Sequence, residues 1–212
     1  SAPGQISNAN PSALSGVISH QRRLWFVENS SSNAVYFPPN GMGGAAQTFP
    51  FGAMFKQGGA LTALASWNVS AGDGMSNNLV AVSEHGDLVI YEGTDPANAS
   101  TWALRGVWKV APPANRNCFL NVGSDVFYNS LDGLMPLSSY LSSGSAASAI
   151  SDIIRPTLTN LVKGLGGLPG WQLIDLPTEN ILLINVPQLD QSRNMQLVRN
   201  NLTGGWSLFS NI

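Results

Sequence analysis

The amino-acid sequence predicts an all-β fold of β-propeller-like repeats, each an antiparallel meander, with one helical insertion. Three observations carry this expectation. A strand-turn-strand unit recurs four times, as RLWFVENSSSNAVYF (23–37), LVAVSEHGDLVIYEG (79–93), DVFYNSLDGLMPL (125–137) and ILLINVPQLDQSRNMQLV (181–198). The copies follow one another at roughly 45–60 residues, the spacing of a repeat architecture. The connectors inside the copies are short and polar, and links of two to five residues join antiparallel strands, not parallel ones.

The elements follow in chain order. The opening SAPGQISNANPS is rich in Pro, Gly, Asn and Ser, so residues 1–16 are expected to be an arm or linker. Residues 17–212 are expected to form the propeller-like domain. Its first group of strands is placed at 16–19, 24–28, 34–37 and 48–55. The second lies at 61–67, 79–83, 88–92 and 102–110. The third holds only 118–122, 126–129 and 134–137, and the fourth 171–176, 181–186, 195–200 and 206–209. Gly86 and Gly133 are expected to supply the positive φ of tight hairpin turns.

A four-stranded meander every 40–50 residues is the pattern of a propeller blade. The chain therefore counts about four blades, either a small propeller or a segment of a larger one. It opens on Ser1 and closes inside a strand-like run, GWSLFSNI, so a piece of a longer polypeptide is expected.

The third group lacks its last strand, and a helical segment is expected there, over about 145–166. Ile150, Ile153, Ile154, Leu158, Leu161, Val162 and Leu165 fall on one helical face. Pro156 is expected to kink or split this helix, and Gly164 to end it. The apolar stripe needs a cover. Either it packs on its own domain or it meets a neighbouring subunit. In the second case, changing Ile154 and Leu158 to Asp blocks assembly and leaves a folded monomer.

Composition limits the function classes. Of 212 residues, 43% are hydrophobic and 10% charged, against ~25% charged in typical soluble proteins. A chain this weakly charged is expected to hide surface in an assembly. Ten Lys and Arg against 12 Asp and Glu give a net charge of −2, with no basic run. The electrostatic footprint of sequence-specific DNA binding is missing, although a surface that lets DNA slide past needs none. Cys118 is the lone cysteine, which excludes a disulfide framework and a thiolate metal site. No run of ~18 apolar residues is present, so no membrane-spanning helix is expected.

Chemistry-bearing residues are few. His20 lies beside Gln21, Arg22 and Arg23 at the start of a strand, and His85 lies in a turn between Glu84 and Asp87. For His85 the choice is between a Ser-His-Asp arrangement and a solvated turn histidine, and the solvated turn is favoured. Glycoside cleavage needs two carboxyl groups astride a sugar. Asp73, Glu84, Asp87, Glu92, Asp95, Asp125 and Asp132 are available, mostly in turns, where solvated turn chemistry accounts for them. Asp73, in AGDGMSNN, is a weak candidate metal ligand. Arg22 and Arg23 are adjacent, so on a strand they point to opposite faces and make a poor carboxylate clamp. No catalytic, cofactor-binding or metal-ligating set is assigned, and an enzyme is not expected.

Trp102 and Trp206 each open a strand just after a hairpin, and packing between neighbouring blades is expected of both. Trp25, Trp67 and Trp171 fit either a core or a sugar-stacking platform. A carbohydrate-binding or glycan-cleaving β-propeller is therefore the alternative function.

Several phrases in sequence order carry a resemblance. They are HQRRLWFV (20–27), GGALTALASW (58–67), NNLVAVSEHGDLVIYEGTDPANASTWALRGVWKV (77–110), LDGLMPLSSYL (131–141) and LLINVPQLDQSRNMQLVRNNLTGGWSLF (182–209). Together they are similar to tail hub, nozzle and packaged-DNA stabilisation proteins of short-tailed bacteriophages and prophages, over about 17–210. The resemblance implies a virion structural protein of the tail or head-to-tail connector, assembled in the bacterial cytoplasm. It implies a homo-oligomeric ring, typically a hexamer, that extends the DNA channel and retains packaged DNA. Its partners would be other tail or portal-adaptor proteins, with non-specific contact to genomic DNA. It carries over no catalytic residue, and those families' chains are longer than this one.

Overall fold

A computed structural model describes residues 6–39, 44–71, 74–143, 149–190 and 195–210. Strands dominate, arranged as four antiparallel sheets of three or four strands, so the chain is all-β. It divides into two compact units, Ser1–Pro112 and Pro113–Ile212. Among the described residues the sheets form no closed propeller.

In the first unit, β1 (Ile6–Ser7) pairs in parallel with β5 (Gly44–Ala45), so part of the expected N-terminal arm is tied down. One meander sheet holds β2 (Leu14–His20), β3 (Arg23–Glu28), β4 (Asn33–Tyr36) and β6 (Gln47–Pro50) in that order. The other holds β7 (Leu61–Ala71), β8 (Gly74–Ser83), β9 (Asp87–Gly93) and β10 (Trp102–Lys109), also in sequence order.

The strand expected over 48–55 stops at Pro50, and Phe51–Ala53 forms a 3-10 turn. Gly52 N–H there donates to Ser32 C=O at 3.1 Å, and the turn drives Phe51 fully into the core. The turn between β8 and β9 depends on Gly86. Its φ is +86°, and a Cβ there would lie 2.2 Å from the Val110 carbonyl oxygen.

In the second unit, β11 (Phe119–Val122), β12 (Asp125–Ser130) and β13 (Gly133–Pro136) form the three-stranded sheet. Helices take the place of a fourth strand, as expected. The first, α1 (Leu137–Ser143), has no counterpart among the elements expected from sequence. The Asp125 carboxylate accepts the Ser138 N–H at 3.3 Å and the Ser138 hydroxyl, which anchors its first turn.

A 3-10 turn (Asp152–Ile154) runs directly into α2 (Arg155–Leu165). Pro156 sits in the first turn of α2 and does not kink it. At that position the missing N–H removes a donor that has no helical partner anyway. The stop is Gly166 and not Gly164, with Gly166 N–H donating to Val162 C=O at 2.8 Å. Residues 145–148 of the expected insertion lie outside the described residues. The last sheet is β14 (Gln172–Leu176), β15 (Ile181–Val186), β16 (Met195–Asn200) and β17 (Trp206–Ser210).

The helix stripe packs on its own unit. Leu158 and Val162 are buried in one core with Leu134, Trp171, Leu173, Leu182, Ile184 and Leu197, and Ile154 packs against it. This overturns the reading of Leu158 as an assembly contact. The stripe is the cover that a three-stranded sheet lacks when its fourth strand is missing.

Candidate functional site: an aromatic seam with a buried histidine

The two sheets of the first unit meet along a stack of rings. Trp25 on β3 stacks on Tyr36 of the adjacent β4, centroids 4.6 Å apart. This follows from register, since Trp25 and Tyr36 are direct cross-strand partners. On the other sheet, Tyr91 of β9 stacks on Trp102 of β10 at 5.6 Å. Trp25 and Trp102 then stack across the seam at 6.0 Å, with planes 12° apart. Phe49 closes the row edge-on to Trp25, Trp102 and Tyr91, and Phe51 packs behind it. Trp102 thus packs between neighbouring sheets, as its place after a hairpin predicts.

His20 is the polar member of this seam. It closes β2 and is not at the start of a strand. Gln21 and Arg22, at φ 50° and 58°, make a two-residue turn that returns the chain into β3 at Arg23. Both turn residues are non-glycine residues held in left-handed backbone, a strained choice for such a turn.

His20 is 2% exposed and edge-on to Trp102 at 6.0 Å. Its Nδ1 is hydrogen-bonded to the Ser66 hydroxyl of β7 at 2.8 Å. Its Nε2 and the indole N–H groups of Trp25 and Trp102 have no hydrogen-bond partner among the described residues. Burial, with the Arg23 charge nearby, lowers the His20 pKa to about 4. Arg23 in turn holds Asp95 at 3.0 Å and donates to Thr94 C=O at 2.8 Å, which pins the β9–β10 loop to the β2–β3 hairpin. Burial raises the Tyr36 hydroxyl pKa, Asp95 adds to the rise and Arg23 offsets part of it. Burial alone raises that of Tyr91.

A serine beside a histidine is half of a nucleophile–base pair, but this pair is poorly suited to that role. The imidazole is a weak base, its second nitrogen has no orienting carboxylate among the described residues, and the site is closed to a substrate. What the arrangement can do is join two sheets and fix their spacing.

The remaining sequence candidates are dispersed. His85 is an exposed turn residue, with Nε2 3.6 Å from Glu84. Asp87 is buried, not solvated, and accepts the Gln57 N–H at 2.6 Å. Glu92 accepts the Ser76 hydroxyl and lies 3.8 Å from Arg105. Arg105 also donates to the buried Asn78 at 3.1 Å. Asp125 anchors α1, and the Asp132 N–H closes its turn onto the Ser130 hydroxyl at 3.2 Å. Asp73 lies outside the described residues. Among the described residues no three His, Cys, Asp or Glu side chains group to hold a metal ion.

Arg22 lies in the hairpin turn while Arg23 reaches Asp95, so the two do not act as a clamp. Trp25, Trp67 and Trp171 are all buried, which removes them as sugar-stacking platforms. Trp206 is half-buried and donates its indole N–H to Ile150 C=O at 3.2 Å. Cys118 is fully buried, and burial pushes its thiol far up.

Sequence reasoning missed Ser66, Tyr36, Phe49 and Tyr91 as partners in the seam. The available signal was the aromatic residue in the final strand of the first two repeated hairpins, Tyr36 in the first copy and Tyr91 in the second. No protein-family model matches this chain, and no curated protein sequence matches it.

Proposed function

We propose that this chain is a structural subunit of a bacteriophage tail or head-to-tail connector. In this reading it assembles into a ring of six copies around the DNA channel, and its meander sheets are successive propeller-like blades. What supports the reading most is the resemblance of an ordered set of scaffold phrases to short-tailed phage tail proteins. Most of their residues fall on the strands and hairpins of the sheets, and LDGLMPLSSYL runs on into α1. Two physical features agree with it. The low charge content suits a subunit that buries surface against neighbours. The chain's clustered aromatic and histidine side chains are spent on joining sheets, which is a mechanical use of residues that an enzyme would place in a cleft.

The ring contact is not the α2 stripe, because Leu158 and Val162 lie inside their own unit. Electron microscopy of the purified chain tests the proposal, together with mass photometry. The expected outcome is a ring with a central opening and a mass near six times the 22.4 kDa of one chain. A species that stays monomeric at all concentrations and retains a glycan on an array would overturn it.

A further inference from the structure

We propose that the seam of the first unit holds an internal water, bound by the indole N–H groups of Trp25 and Trp102 and by Nε2 of His20. A buried donor or acceptor without a partner keeps its full desolvation penalty, so folded proteins pair such groups with protein or with ordered water. Among the described residues, unpartnered buried polar atoms also occur on Asn115, Asn129, Asp175 and Arg199 of the second unit. In the seam they fall on three rings in a row, His20 against Trp102 and Trp102 against Trp25.

The spacing suits a single bridging molecule. His20 is edge-on to Trp102 with centroids 6.0 Å apart, and Trp102 stacks on Trp25 at the same 6.0 Å. Two hydrogen bonds of about 2.9 Å in series reach across about 6 Å, so one water spans neighbouring rings at these separations. All three residues are buried, which keeps bulk solvent out. A buried water typically makes about three hydrogen bonds, and the seam supplies that number of partners.

The chemistry of the atoms fixes the direction of each bond. An indole N–H only donates, so the water accepts from Trp25 and from Trp102 and both its lone pairs are used. Its proton then goes to His20 Nε2, which must be the bare nitrogen. The ring proton therefore sits on Nδ1 and is donated to the Ser66 hydroxyl at 2.8 Å. A protonated Nε2 would face an oxygen with no lone pair left. This agrees with a histidine that burial and the Arg23 charge hold neutral, at a pKa of about 4.

The competing arrangement has Nε2–H donating into the face of Trp102, which the edge-on contact permits. It leaves both indole N–H groups without a partner and needs the opposite tautomer, with Nδ1 accepting from Ser66. One water satisfies all three atoms. The site needs nothing from a neighbouring subunit, so the inference does not rest on the proposed ring.

The test is NMR spectroscopy of the full chain, labelled with nitrogen-15, near neutral pH. The Trp25 and Trp102 indole protons are assigned through their ring contacts with Tyr36 and Tyr91. Water-selective cross-relaxation spectra should show a direct peak from a long-lived water to both. Trp171 is the internal control. It is equally buried, but its indole N–H donates to Leu165 C=O at 2.9 Å, so it should show no such peak. Long-range proton–nitrogen spectra of the imidazole should show the Nδ1–H tautomer. Absence of the water peak from either seam indole would overturn the proposal. So would a peak of equal strength on Trp171, or the Nε2–H tautomer.

Discussion

Acidification should weaken the first unit through His20, by an amount that follows from its burial. The imidazole titrates near 6.5 when free and at about 4 in the folded chain, because burial and the Arg23 charge oppose protonation. Below pH 6.5 the unfolded chain takes up a proton that the folded chain refuses. Stability is therefore full above about pH 6.5, falls as pH drops through the window, and stops falling below about pH 4. At 1.36 kcal/mol per unit, the whole shift is worth about 3 kcal/mol, of which about 2 kcal/mol is lost by pH 5. That is a large share of the ~5–15 kcal/mol of a typical domain.

The assay is urea unfolding followed by tryptophan fluorescence, since Trp25 and Trp102 line the seam. Carboxylates titrate in the same range, so the informative quantity is the difference from His20→Gln. Glutamine keeps a polar partner for Ser66 and carries no titrating group. The variant should be the weaker protein at pH 7, and the gap should narrow by about 2 kcal/mol at pH 5. A gap that stays constant between the two pH values would refute the burial argument.

Three further outcomes are expected. Trp102→Ala should cost about 3–5 kcal/mol by the same unfolding measurement, whereas Leu104→Ala, at an exposed position two residues on, should stay within about 0.5 kcal/mol. Leu158→Asp should abolish folding of the second unit, seen as a weaker strand signal and greater protease sensitivity, because it puts a charge into a closed apolar core. Ile153→Asp, at an exposed position just before α2, should leave that unit intact. Cys118 should resist a thiol-specific reagent in the native chain and react once urea unfolds it, since burial both shields the thiol and raises its pKa.

The strands are legible in the sequence because each repeated hairpin pairs two apolar runs across a polar turn. Local pattern is sufficient there: the strand over 181–186 and the turn at Gly86 stand where the sequence predicts them. What escapes is decided by contacts between distant residues. The end of β6 is set by Phe51 entering the core. The start of α1 is set by Asp125, far back at the head of β12. Pro156 reads locally as a helix breaker, yet it lies in the first turn, where proline is harmless, because the preceding residues form a 3-10 turn. His20 reads as a residue at the start of a strand, since neither Ser66 nor Trp102 is visible from its neighbours in sequence.

The two units answer one packing problem in two ways. A meander sheet leaves an apolar face that another layer must cover. In the first unit the cover is a second four-stranded sheet, and the seam is filled by stacked rings from Tyr36 to Tyr91. In the second unit one sheet has only three strands, and α2 supplies Leu158 and Val162 to the core shared by Leu134 and Leu182. The helical insert is therefore part of the unit's own architecture, and its apolar face is already used. Assembly must draw on surfaces that remain open after folding.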